Sequence, residues 1–137
     1  MIKKKDTPML QHTKKTTLSD EERAYVQALR SALEPFRQIN HSMPLSYIIA
    51  FLEVAADEGK GVAEYAAKLN ISPTVMTRNL LDIGERNRQR EEGYGLITQE
   101  RDLFDLRKHN ARVVPKGKAV LHNAIRGLKA VKHIGED

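Results

Sequence analysis

The sequence predicts an α+β chain, mainly α, with four helices, one β-hairpin and a closing helix. Three observations carry that expectation. Apolar residues recur at three- and four-residue spacing through residues 20–83 and again after residue 117, the spacing that puts them on one face of a helix. Ser and Pro stand just ahead of these stretches, at Ser19, Ser42 with Pro44, and Ser72-Pro73, where helix starts favour them. After Gly93-Tyr94-Gly95 the pattern changes to two short apolar runs around a polar turn, as a hairpin requires.

Residues 1–18 lack periodicity and read as a flexible basic arm. Ser19-Asp20-Glu21-Glu22 is a capping box, in which Ser19 caps the following turn and Glu22 reaches back to its amide. Tyr25, Leu29, Ala32, Phe36 and Ile39 then form an inward stripe. Pro35 lacks an amide hydrogen, so the first helix either bends and runs over about 20–39 or stops near Glu34. The second helix has a predicted buried stripe of Leu45, Ile48, Ile49, Leu52, Ala55 and Ala56, and ends before Gly59. The third spans Val62 to Leu69, with Ala63, Ala66 and Leu69 inward, and Asn70 suits its left-handed end. Ser72-Pro73 opens the fourth, where Met76, Leu80 and Ile83 mark the core face and Thr74, Thr77, Arg78 and Leu81 lie elsewhere. Gly84 is a weak point, and Glu85 to Glu92 either extends this helix or forms a loop. Leu96 to Gln99 reads as a strand, Asp102 to His109 contains the turn, and Ala111, Val113 and Val114 mark the returning strand. Pro115-Lys116-Gly117 breaks it, and Leu121, Ala124, Ile125, Leu128 and Val131 mark the last helix. Gly127 costs that helix about 1 kcal/mol relative to Ala.

Length and composition bound the function. The 137 residues allow one domain with a tail. The absence of Cys excludes disulfides, a thiolate nucleophile and cysteine-ligated metal sites. The longest apolar stretch, Met43 to Ala56, is too short for a membrane span. No apolar run follows Lys3-Lys4-Lys5, so no secretory signal is expected and a cytoplasmic location follows. The net charge of +5 is segregated. Residues 1–18 carry +4, residues 19–70 carry −3, residues 71–118 carry +3 and residues 119–137 carry +1. Such asymmetry points to a polyanion partner, or to a solubilising arm on a mildly basic domain.

Two short helices joined by a tight turn and followed by a hairpin outline a winged helix-turn-helix. A helix fits the major groove and presents polar and cationic side chains to base edges. The hairpin then projects a basic tip toward neighbouring phosphates or the minor groove. The residues resemble those of the MarR-like transcriptional regulators. Glu64 through Arg78 is similar to that family's helix-turn-helix, with Asn70 in place of its usual Gly. Asp105-Leu106-Arg107 resembles the Asp-x-Arg of its wing, and Val114-Pro115-Lys116-Gly117 resembles the motif that opens the next helix. The resemblance covers about residues 44–125. It departs in three places. Glu85 to Gly95 is longer than the usual link and adds Arg86, Arg88 and Arg90, which either touch DNA backbone or are simply solvated. Twenty residues follow Gly117, where the family commonly has a longer pair of dimerisation helices. The wing tip carries Leu103, Phe104 and Leu106, which are apolar for an exposed turn and could pack on a partner, a second subunit or the domain itself.

The candidate DNA-binding residues are Ser72, Thr74, Thr77, Arg78, Asp105, Arg107 and Lys108. Arg78 suits bidentate contact with guanine, and Thr74 and Thr77 offer both hydroxyl and methyl. Ser72 caps the helix and stands where a phosphate binds. The resemblance implies that Asp105 orients Arg107, with Lys108 beside it; the bland alternative is a surface ion pair worth at most about 1 kcal/mol. Arg112 alternates with buried strand positions and faces outward.

Catalysis finds no motif: there is no nucleophile elbow, phosphate-cradling loop or zinc-protease helix. The five His match no common metal spacing. No enzyme activity, metal or cofactor is therefore expected. The main expectation is a dimeric, sequence-specific regulator of double-stranded DNA, with residues 19–137 forming a winged-helix domain whose terminal helices dimerise. The alternatives are an architectural, replication or partition protein of a mobile element, and a protein-binding winged helix. The resemblance also implies a small-molecule effector near the dimer interface, where Tyr25, Phe36 and Tyr47 either line a site or belong to the core.

Overall fold

The structure is a computed structural model that describes residues 17–105 and 107–130. The expectations for residues 1–16, Leu106 and Val131 lie outside those residues. The elements run α1 (Asp20–Ile39), α2 (Leu45–Ala56), α3 (Val62–Leu69), α4 (Pro73–Ile83), β1 (Ile97–Arg101), β2 (His109–Val113) and α5 (Pro115–Lys129).

The capping box opens α1 as expected: the Glu22 amide donates to Ser19 Oγ at 3.0 Å and the Ser19 amide to Glu22 Oε1 at 2.8 Å. The helix then continues through Pro35 to Ile39, so the longer reading holds. Ala28 and Phe36 are its buried residues, with Ala32 and Ile39 packed beside them. Tyr25 and Leu29, expected inward, are 49% and 60% exposed. They lie near the start of α1, whose main packing partner is α5. Ile125 and Leu128 of α5 are likewise about half exposed. The α1–α5 pair thus leaves apolar residues of both helices facing solvent.

The predicted stripe of α2 is corrected. Ile48, Ala50, Phe51 and Val54 are buried, whereas Leu45, Ile49, Leu52 and Ala56 are exposed and Ala55 is intermediate. This helix is apolar nearly all round, so spacing alone does not select a face. Packing selects it: Phe51 meets Phe36 edge-on at a centroid distance of 5.9 Å, and the helix also lies against α4. In α3, Ala66 is buried and Leu69 packs against the core, but Ala63 is exposed and Tyr65 is fully buried. Its hydroxyl donates to the Asp57 carbonyl at 2.6 Å and accepts from the Lys60 amide at 3.2 Å, which removes the cost of burying a phenol.

Asn70 closes α3 in the left-handed conformation, with φ 56°, and the Ile71 amide returns to the Ala66 carbonyl at 3.0 Å. Ser72 Oγ accepts from the Val75 amide at 3.1 Å and Pro73 takes the first helical position of α4. Met76, Leu80 and Ile83 are fully buried, as their spacing predicts. Gly84 ends α4, and residues 85–95 form a loop that folds back along it. The amides of Gly93, Tyr94, Gly95 and Leu96 donate to the carbonyls of Glu85, Asp82, Gly84 and Ile83 at 2.9–3.1 Å. These bonds satisfy carbonyls that a helix end leaves unpaired. The approach is close enough that a Cβ on Gly93 would stand 2.2 Å from the Gly84 carbonyl oxygen.

The hairpin pairs Ile97 with Val113, Gln99 with Ala111 and Arg101 with His109, antiparallel. It extends past the predicted Leu96–Gln99 strand through Glu100 and Arg101 and starts its return at His109, because polar residues continue the ladder where no core needs filling. Val114, expected in the strand, is instead the N-cap of α5. Arg112 is exposed, as alternation predicts. The segment after α2 runs along β2: Gly59 donates to the Ala111 carbonyl at 2.8 Å and Ala111 to the Lys60 carbonyl at 3.0 Å. The core therefore lies between the helix-turn-helix, α2 and the inner face of the hairpin, and it holds α4 and the wing in fixed relation.

Candidate nucleic-acid interface

Burial of Met76, Leu80 and Ile83 turns the opposite side of α4 outward. Thr74, Thr77 and Arg78 are exposed there, and Leu81 is intermediate. Their spacing puts them on one face. Ser72 stands at the helix N-terminus, where unpaired amides and the helix dipole favour an anion.

A cleft of about 810 Å³ separates this face from the wing. Thr77 and Leu81 of α4 line it with Glu64 of α3 and with Asp105, Arg107 and Lys108 of the wing. Four of the seven candidate residues thus meet in one cleft. Ser72, Thr74 and Arg78 are not among its lining residues. Gln99 and His109 also line it, and sequence reasoning missed both. Gln99 stands at the middle of β1, opposite Ala111, and His109 at the tip-ward end of β2, opposite Arg101, positions that only the strand register reveals.

The two wing cations differ. Arg107 is 93% exposed at its side chain, and its Nε lies 3.4 Å from Asp105 Oδ1. The same carboxylate oxygen accepts the Arg107 amide at 3.1 Å, so Asp105 holds the backbone of Arg107 as well as its side chain. Lys108, expected beside Arg107 as a wing cation, instead reaches back to α3, where its Nζ lies 2.8 Å from Glu64 Oε1. That carboxylate also accepts the Gly61 amide at 2.9 Å. The Lys108 and Gly61 bonds hold the Glu64 carboxyl below its ordinary range, and Glu64 raises Lys108 above its own. Both side chains remain substantially exposed, so the pair contributes at most about 1 kcal/mol.

Asp102 shapes the wing tip. Its Oδ1 accepts the amides of Phe104 and Asp105 at 2.7 and 3.0 Å, and its Oδ2 accepts Asn110 Nδ2 at 3.0 Å. The Asn110 bond and then the two amides hold this carboxyl below its ordinary value. The sequence signal was present, since an Asp that bonds amides two and three residues on is a common turn device.

A second polar cluster lies behind α4. The Tyr47 hydroxyl donates to Asp82 Oδ2, and Arg88 Nη2 lies 3.1 Å from the same oxygen. Burial opposes ionisation of Asp82, but the bonds from Tyr47 and Arg88 outweigh it and leave its carboxyl below the ordinary value. The bond to Asp82 in turn raises the Tyr47 phenol. Asn40 Nδ2 donates to the Tyr94 hydroxyl at 2.6 Å, and the Tyr94 ring packs edge-on against Tyr47. The cluster joins α1, α2, α4 and the 85–95 loop, and it gives Arg88 an internal partner. Tyr47 therefore binds this network, Phe36 belongs to the core and Tyr25 is exposed. Among the described residues there is no group of acids and His that could hold a metal, and no helix is long and apolar enough to cross a membrane.

A recognition-type helix, a tight turn before it and a hairpin beside it define a winged helix-turn-helix. Solved structures place it more narrowly. A transcriptional regulator from Thermotoga maritima matches with a TM-score of 0.62 and 13% identity, over 77% of this chain and 67% of that one. A MarR family transcription regulator matches at 0.55 and 17%, over 79% and 62%. The transcriptional repressor CouR, solved on a 23-mer DNA duplex, matches at 0.50 and 24%, over 78% and 68%. The chain thus spans about two thirds of the length of these structures. Comparison with protein-family profiles and with curated proteins finds no match. The fold is the MarR-type winged helix that the sequence resemblance anticipated.

Proposed function

We propose that the protein is a transcriptional regulator that binds double-stranded DNA sequence-specifically as a homodimer. The observation that carries this reading is the single cleft between the exposed face of α4 and the wing, with Thr77 on one wall and Arg107 on the other. A major-groove helix and a backbone- or minor-groove-directed wing need that arrangement. Structures of the same fold solved on DNA support it. Thr74, Thr77 and Arg78 read base edges, Ser72 and the amides behind it bind a phosphate, and Asp105 steadies Arg107 at the groove. Lys108 joins the interface by exchanging Glu64 for a phosphate. The exposed apolar residues of α1 and α5 are the dimer surface, and residues 1–18 are an arm on a winged-helix domain of 19–137. The protein acts in the cytoplasm, has no catalytic role, and binds any small-molecule effector near the dimer surface.

Equilibrium binding by Arg78→Ala and Arg107→Ala, on matched and scrambled duplexes at two salt concentrations, tests the assignment. Arg78→Ala relaxes discrimination by about 1–3 kcal/mol at its base pair, whereas Arg107→Ala weakens both duplexes and lowers the salt slope by about one. Negligible effects from both substitutions overturn it.

A further inference from the structure

We propose that Phe104, with Leu103 beside it, is an apolar wedge that the wing drives between base pairs from the minor groove, kinking the duplex. The inference rests on the DNA-binding reading above and adds the wing's mode of contact and a source of sequence preference. Phe104 is 99% exposed and Leu103 88%. No other exposed large apolar residue among the described ones exceeds 66%. Neither fills the core, so their place at the tip calls for something outside the chain.

The tip is organised before it meets a partner. Besides the bonds that the Asp102 carboxylate accepts from the Phe104 and Asp105 amides, the Asp102 amide donates to the Lys108 carbonyl at 2.8 Å and the Lys108 amide to the Asp105 carbonyl at 2.9 Å. The backbone that carries Phe104 is thus tied at Asp102, Phe104, Asp105 and Lys108, so little ordering entropy remains to be lost on insertion. Asp105 and Arg107 line the DNA-facing cleft, so the tip stands at its edge.

Size and charge choose the occupant. Two side chains are far too small for a protein interface, which buries about 800 Å² on each partner. They suffice for a wedge, because single Phe or Leu residues unstack base steps. Exposed Arg101 and Arg107 flank the tip, as a phosphate-lined groove favours. The nearby acids are engaged: Asp102 accepts three internal donors and Asp105 meets Arg107. Insertion prefers pyrimidine–purine steps, which unstack most readily, so the wedge selects sequence without hydrogen bonds to bases.

The sequence contains no Trp, so Phe104→Trp creates a single fluorescent probe at the tip. The duplex that selection from a random pool enriches is labelled at both ends for energy transfer and bound by the wild type, Phe104→Trp, Phe104→Ala and Phe104→Asp. The wild type and Phe104→Trp are expected to bring the duplex ends together, with the Trp emission quenched by stacking. Phe104→Ala and Phe104→Asp are expected to leave the duplex straight and to weaken binding about tenfold or more, as loss of a base–aromatic stack does. Binding by the wild type with no bend, unquenched Trp emission, or wild-type affinity in Phe104→Ala overturns the wedge and leaves the DNA-binding reading standing. A change of oligomeric state in Phe104→Asp with unaltered DNA affinity also overturns it, in favour of a contact between copies. Absence of any duplex binding overturns both.

Discussion

Asp82→Asn tests how the 85–95 loop and α4 are held together. Asp82 is 8% exposed and takes the Tyr47 hydroxyl and the Arg88 guanidinium on one carboxylate. Asn keeps the shape and one acceptor oxygen but removes the charge. A hydrogen bond to a charged group contributes about 1.5–3 kcal/mol against about 1 for a neutral one, so the Tyr47 bond loses about 1 kcal/mol. The Arg88 side chain is 42% exposed, which limits its share to about 1 kcal/mol. The expected loss is about 2 kcal/mol, or a drop of about 1 M in the urea midpoint for a chain of this size. Helical circular dichroism in urea reads it. The folded carboxyl lies below its ordinary value of 3.8, so its contribution is complete above that pH and is lost as pH falls through the folded value. The gap between wild type and Asp82→Asn therefore narrows in acid, where the wild-type carboxyl is itself neutral. Equal stability near neutral pH, or a gap that persists undiminished in acid, refutes the argument.

Other substitutions probe other joints of the fold. A Cβ on Gly127 would stand 2.8 Å from the backbone carbon and oxygen of Ser31. Gly127→Ala gains about 1 kcal/mol of helix propensity but forces α5 off α1 at about 1–3 kcal/mol, so a thermal melt is expected to show a net loss, and a rise in Tm contradicts the close packing. Asn70→Val loses about 1 kcal/mol at the left-handed turn while Asn70→Gly is nearly neutral, as urea titration of the pair will show. Ser72→Ala costs about 1 kcal/mol through the lost cap, and Leu80→Ala costs about 2–5 kcal/mol through the cavity it leaves, both measured by the same unfolding assay.

Much of this fold is legible where one local rule acts alone. The Ser19 box, the Asn70 turn, the Ser72-Pro73 start and the Met76, Leu80, Ile83 stripe each follow from capping, backbone conformation or spacing, and each stands where expected. The inward face of α2 was not legible, because a helix apolar all round takes its orientation from Phe36 and α4 rather than from its own pattern. Tyr65 displaced Ala63 from the buried set through hydrogen bonds to residues 57 and 60, which no periodicity encodes. At the candidate site, spacing brought out Thr74, Thr77 and Arg78, and the family resemblance singled out Asp105 and Arg107. The partnering of Lys108 with Glu64 was hidden, since those residues are far apart in sequence and meet only when the wing folds against α3. The Tyr47–Asp82 bond was hidden for the same reason, and Arg88, only six residues from Asp82, reaches the same carboxylate because the chain leaves the helix at Gly84 and folds back.

The central claim, sequence-specific binding to duplex DNA by a dimer, is tested most directly by selecting bound duplexes from a random pool with the purified full chain. The account predicts enrichment of a pseudo-palindrome whose half-site centres lie about one helical turn, or a multiple of it, apart, with affinity that falls steeply as salt rises. A pool that remains random after repeated rounds contradicts it.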